Sequence, residues 1–181
     1  MQGLRGKFGK THTYRKQRGK MVMASLPDKR GALSPKQVAR SKRFQKAIAY
    51  AKNQMLDKEA VKLYETGVTV KKATPYIVAL TDSLNSPSVD EIRTLDYLGN
   101  VGDSISIIAT DDFRVVRVRV IVKDGNGNRV EQGDAIQDDK NNDTWRYTAT
   151  AANPAPQGST VLITAYDRPD NETTREVVVG E

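Results

Sequence analysis

The chain has no cysteine, one histidine and one tryptophan among its 181 residues. Without cysteine it can form no disulfide, offers no thiolate to a metal and carries no Cys nucleophile. One histidine and no cysteine also cannot build the usual zinc ligand sets. A Ser–His arrangement would have to use His12, which sits in a glycine-punctuated basic segment with no orienting carboxylate near it in sequence. His12 reads instead as a solvent-facing strand residue. The glycines of residues 1–19 lack the Gly-Lys-Ser/Thr ending of a phosphate loop and follow no buried strand. No stretch approaches the roughly 20 apolar residues that span a bilayer. The segment Met1–Arg30 has no apolar run long enough for a signal peptide. The expectation is a cytoplasmic protein with no membrane span, open to incorporation into a particle.

Acidic residues are scarce in the front of the chain and plentiful behind. Residues 1–74 hold 19 Lys/Arg against 4 Asp/Glu, or +15; residues 75–181 hold 10 against 18, or −8; together they give +7. Such asymmetry points to an anionic partner for one end.

Three zones follow. Residues 1–33 form a basic arm broken by Gly3, Gly6, Gly9 and Gly19. Within it, Lys10–Ser25 suits a hairpin: Thr11, Thr13 and Tyr14 on one arm and Met21, Val22 and Met23 on the other favour strand, with Gly19 at the turn. Apolar content is low and an isolated hairpin is marginal in water, so a partner is expected to order this arm.

Residues 34–74 form a basic helical segment. Ser34, Pro35 and Gln37 combine an N-cap, a proline at the first helical position and a capping-box partner. Phe44, Ala47, Ile48, Ala51 and Met55 make one apolar stripe at helical spacing. Lys36, Arg40, Arg43 and Lys46 share a neighbouring face, with Lys42 at its margin. Asp57 caps a second short helix that stops at Gly67.

Residues 75–181 read as an acidic domain of about seven short strands in an antiparallel β-sandwich. The candidate strands are Tyr76–Leu80, Ser104–Thr110, Val115–Lys123, Arg129–Gln132, Trp145–Thr150, Thr160–Tyr166 and Glu176–Val179. Val116, Val118, Val120 and Val122 alternate with Arg117, Arg119 and Lys123; Trp145, Tyr147 and Ala149 alternate likewise, as do Val161, Ile163 and Ala165. The fold class is mainly β with an α-helical N-terminal part.

Several of these features carry a resemblance: Val101-Gly102-Asp103 entering a strand, Ala109-Thr110-Asp111-Asp112 closing it, the Asp124–Asn128 hairpin, Trp145-Arg146-Tyr147, and Ala165-Tyr166-Asp167 before Asn171. Val101–Val179 resembles a bacterial immunoglobulin-like domain. The resemblance implies a spacer, display or protein-contact module. The N-terminal half resembles a group of uncharacterised bacterial proteins in its Gly6-Lys7-Phe8-Gly9 element, its Gly19-Lys20 arm and its helix with Gln37, Arg40 and Phe44. That likeness brings no site residues.

The strongest binding signal is the run Arg5, Lys7, Lys10, Arg15, Lys16, Arg18, Lys20, Lys29 and Arg30, continued on the helix by Lys36, Arg40, Arg43 and Lys46. Neutralising several phosphates would give salt-dependent, sequence-indifferent nucleic-acid binding. No DNA-reading motif accompanies it. Phe8, Tyr14 and Tyr50 are too few for a stacking platform. Cationic glycine-rich arms equally thread over acidic protein surfaces in large assemblies, and electrostatics alone does not separate the two. An anionic membrane surface fits less well, because the helix lacks a large aromatic or Leu face. The basic residues on Val115–Lys123 read as a solvated face.

Asp111, Asp112, Asp124, Asp138, Asp139, Asp143, Asp167 and Asp170 cluster in loops and offer oxygen to a hard cation. Asp and Asn have a sufficient conformational reason to occupy turns. The Asp124–Asn128 segment is followed by Arg129 where an EF-hand wants Gly. No metal, cofactor or catalytic residue is assigned. The expected function is non-enzymatic: a polyanion-anchoring front half and a spacer or protein-contact back half, contacting other protein subunits.

Overall fold

The computed structural model describes residues 6–17, 19–25 and 32–180. Among these residues the fold is mainly β, with antiparallel sheets and three helices. It divides into two compact units, Met1–Ser41 and Lys42–Glu181.

In the first unit, strands β1 (Gly6–Phe8), β2 (His12–Gln17) and β3 (Lys20–Ser25) form one antiparallel sheet in the order β1-β2-β3. The expected hairpin is present, with Gln17 opposite Lys20 and Gly19 at φ +82° in the connection. Strand β1 adds a third member that propensity did not single out. Helix α1 (Pro35–Gln54) opens on the expected capping box. The Ser34 backbone N–H donates to Gln37 Oε1 at 2.9 Å, and the Gln37 N–H donates to Ser34 Oγ at 3.3 Å.

In the second unit, the later turns of α1 pack with α2 (Lys58–Glu65) and α3 (Pro75–Leu84) around Ala51, Tyr64, Val78 and Ala79. Of the expected α1 stripe, Ala47 and Ala51 are buried, Ile48 and Met55 are half-buried, and Phe44 stays 46% exposed. All of residues 35–46 are exposed, so burial begins only at Ala47. Asp57 caps α2 as expected, accepting from the Glu59 N–H at 2.9 Å.

Helix α3 corrects the expected strand Tyr76–Leu80. Thr74 Oγ1 accepts from the Ile77 N–H and Pro75 occupies the first turn, which is a helix start signal. The run Tyr-Ile-Val-Ala-Leu has strand propensity, but a short apolar run is ambiguous by periodicity. Burial of Val78, Ala79 and Asp82 beside Tyr64 fixes it as a helix.

Eight strands follow: β4 (Ser88–Arg93), β5 (Ser104–Thr110), β6 (Val115–Lys123), β7 (Arg129–Asp134), β8 (Ile136–Gln137), β9 (Thr144–Thr148), β10 (Thr160–Asp167) and β11 (Glu172–Val178). They form two four-stranded sheets, β4-β5-β9-β8 and β11-β10-β6-β7. Both sheets feed one core, which includes Ile105, Ile107, Val118, Val120, Trp145, Tyr147, Val161 and Ile163. Strands β4 and β8 were not expected, because their sequences alternate weakly and are mostly polar. Val116 departs from its expected inward position and is exposed. The pairings Tyr166↔Arg117 and Asp167↔Val115 leave Val116 as the extra residue of a β-bulge, so Val115 turns inward in its place.

Candidate functional site

Among the described residues, the sheet of the first unit sorts its cations by face. Opposed residues in an antiparallel pair share a face, and the register sets Lys7 opposite Thr13, Arg15 opposite Val22, and Gln17 opposite Lys20. Side chains alternate along each strand, so Lys7, Arg15 and Lys20 lie on one face. Lys16 lies on the other face with His12, Tyr14, Met21 and Met23. Lys10 is in the β1–β2 turn. All five cations are exposed, and none forms an ion pair among the described residues. Arg5, Arg18, Lys29 and Arg30 lie outside the described residues.

On α1, Lys36, Arg40 and Arg43 follow i, i+4, i+7 spacing and share one line of the helix, with Lys46 to the side. All four are exposed. Arg43 is already engaged: its Nη2 donates to the Leu84 carbonyl at the end of α3, where cations favourably meet unsatisfied carbonyls. His12 Nδ1 lies 2.8 Å from Thr11 Oγ1, a local strand contact. The basic stripe on β6 is occupied locally too: Arg119 pairs with Asp134 at 3.1 Å, and the Arg117 guanidinium sits 4.1 Å from the Tyr166 ring centroid.

A second constellation escaped the sequence reading in part. Asp82 in α3, Asp111 just after β5 and Asp167 at the end of β10 bring carboxylate oxygens within 4.8 Å of one another. Asp111 and Asp167 were among the suspected loop acids, but Asp82 was not. Asp82 and Asp167 are fully buried and Asp111 is half-buried. The Tyr64 hydroxyl donates to Asp82 Oδ2 at 2.6 Å and itself lies 2.7 Å from the Tyr50 hydroxyl. Asp111 Oδ2 accepts the N–H groups of Phe113 and Arg114 at 2.9 and 3.0 Å. Asn171 donates its backbone N–H to Asp167 Oδ1 at 2.6 Å and its Nδ2 to Asp167 Oδ2 at 2.7 Å. The same Nδ2 reaches the carbonyls of Asp82 and Asn85. Desolvation, followed by the nearby Asp111 and Asp167 charges, pushes the Asp82 carboxyl up to about 7 against the Tyr64 hydrogen bond. Desolvation likewise raises Asp167 to about 6.

Glu131 is the other buried acid. Its Oε2 accepts from the Tyr147 hydroxyl, the Thr150 N–H and hydroxyl, and the Ala151 N–H. This network ties β7 to the segment after β9 and reads as structural.

No protein-family model matches the chain, and no curated protein sequence matches it.

Proposed function

We propose that this is a non-enzymatic binding protein whose basic N-terminal part anchors to a polyanion, namely nucleic acid without sequence preference. What carries this reading is the set of exposed cations on the small sheet, with Lys7, Arg15 and Lys20 on one face and none of them ion-paired among the described residues. Phosphates recruit such a surface through counterion release. Lys10 and Lys16 in the sheet, and Lys36, Arg40 and Lys46 on α1, are exposed as well.

The C-terminal part is read as an immunoglobulin-like spacer or protein-contact module. With β4 to β11 lettered A, B, C, C′, D, E, F and G, the sheets run A-B-E-D and G-F-C-C′. That order supports the reading, because immunoglobulin-like domains share it. Fold alone does not assign a partner.

The test is full-length protein titrated with mixed-sequence duplex DNA and with single-stranded RNA across a salt series. Affinity is expected to fall steeply with salt. Replacing Lys7, Arg15 and Lys20 together by Gln should flatten the log–log slope on duplex DNA by up to about 2.7, at roughly 0.9 per phosphate contact. No binding at low salt ends the nucleic-acid reading. Docking of the same arm on an acidic surface of a particle or other large protein assembly then takes its place.

A further inference from the structure

We propose that Asp82, Asp111 and Asp167 form a binding site for one calcium ion where the last turn of α3 meets the segments that leave β5 and β10. The proposal does not depend on the polyanion reading.

The geometry is that of a hard-cation cradle with two oxygens to spare. Three carboxylates converge within 4.8 Å. Asp82 has no exposed surface, and its Oδ1 accepts no hydrogen bond from any donor among the described residues. Asp111 Oδ1 is also buried and accepts no hydrogen bond among the described residues. A buried polar atom left unsatisfied is costly, and a buried charge more so. No Lys or Arg forms an ion pair with any of the three among the described residues. The nearby Lys72 is held by Asp112, and the Arg168 guanidinium sits 5.9 Å from the Tyr64 ring centroid.

The remaining oxygens are oriented by neutral donors. Tyr64 holds Asp82 Oδ2, two backbone N–H groups hold Asp111 Oδ2, and Asn171 holds both oxygens of Asp167. Outer donors of this kind fix ligating carboxylates in place. Asp111 also lines a groove of about 510 Å³ with Phe113, Arg114, Gln137, Asn142 and Asp143. Of the three acids Asp111 alone lines this groove, so the proposal has the ion and its waters enter past Asp111.

The donor set selects the ion. All three ligands are carboxylates, which suit hard cations rather than zinc or copper. Calcium accepts irregular geometry and completes six to eight ligands with water, whereas magnesium demands a near-ideal octahedron. The competing occupant is a proton shared between Asp82 and Asp111.

The test uses the full chain, stripped with EDTA and dialysed, at pH 7.5. Calorimetric titration with calcium chloride should give a saturable isotherm with one ion per chain. At about 100 times the dissociation constant, calcium should raise the thermal midpoint by roughly 5–10 °C. Magnesium should need at least tenfold more for the same shift. Terbium bound in calcium's place should luminesce on tyrosine excitation, because Tyr64 touches Asp82, and calcium should quench the signal by displacement. Asp82→Asn should abolish these effects. Since Asp82 is buried, Asp111→Asn at the groove's edge gives the decisive variant: it should keep its circular dichroism and lose the calcium shift. No saturable binding to the unaltered chain, equal shifts with magnesium and calcium, or a calcium shift retained in Asp111→Asn would each overturn the site.

Discussion

Gly99 shows how much one residue can decide. Its φ is +91°, a conformation that side-chain-bearing residues rarely adopt. A Cβ built there would lie 2.2 Å from the Asn153 carbonyl oxygen. That oxygen belongs to a residue whose N–H already donates to the Gly99 carbonyl at 2.8 Å. Asn153 is in turn buried, with Nδ2 on Ser159 Oγ at 2.9 Å and on the Tyr97 hydroxyl at 3.3 Å. The segments after β4 and β9 are therefore locked together around a position that admits no side chain. Gly99→Ala should cost about 2–4 kcal/mol. Urea unfolding should show a lower midpoint with an unchanged slope. Nothing near Gly99 in the sequence announces this, because the clash comes from a residue 54 positions away.

Individual elements followed their local signals where those signals were chemical rather than statistical. The box at Ser34 and Gln37, the cap at Asp57 and the turn at Gly19 each appear where the residues require them. The alternation of Trp145, Tyr147 and Ala149, and of Val161, Ile163 and Ala165, translates directly into burial. Elements resting on propensity alone fared worse, as α3 shows: an apolar five-residue run fits either period until its neighbours decide. Helix α1 makes its own prediction. Because residues 35–46 are wholly exposed, little tertiary packing supports its first turns and the cap should matter more there. Ser34→Ala should remove about 1 kcal/mol from the first turns. Amide exchange at residues 37–40 should quicken, while the global unfolding midpoint stays put.

At the scale of the whole molecule, the carboxylates oppose one another as pH changes. Asp82 and Asp167 are raised, to about 7 and about 6, first by desolvation and then by the acids facing them. Asp111 faces both, Tyr64 faces Asp82 and is itself bonded to Tyr50, and Asp170 adds to Asp167. A raised carboxyl binds more protons folded than unfolded between its two pKa values, so stability falls as pH climbs through that window. Asp90 is lowered by the Ser88 and Thr110 hydroxyls, and Asp112 by Lys72 and Asn85 against the burial that raises it. Those groups stabilise above their unfolded values and lose that contribution as pH drops below about 4. In EDTA, stability should peak near pH 4–5 and decline by on the order of 3 kcal/mol by pH 7.5. Denaturant midpoints across pH check it: a flat profile from pH 5 to 7.5 would show that burial does not hold these carboxyls neutral.

The amino-acid sequence alone carries the charge split, the helix caps, the turns and the alternating strands. Each of these depends on residues within a few positions of one another, and their chemistry is local. It also named Lys7, Arg15 and Lys20, although only the register of β1, β2 and β3 set them on one face. Packing was needed to make Tyr76–Leu80 helical, to expel Val116 at a bulge and to bring Asp82 to Asp111 and Asp167. Those outcomes turn on contacts between distant residues: Tyr64 against α3, β10 against β6, and one helix against two loops. A pattern read along the chain has no term for such contacts, because their energy exists only once the elements have packed.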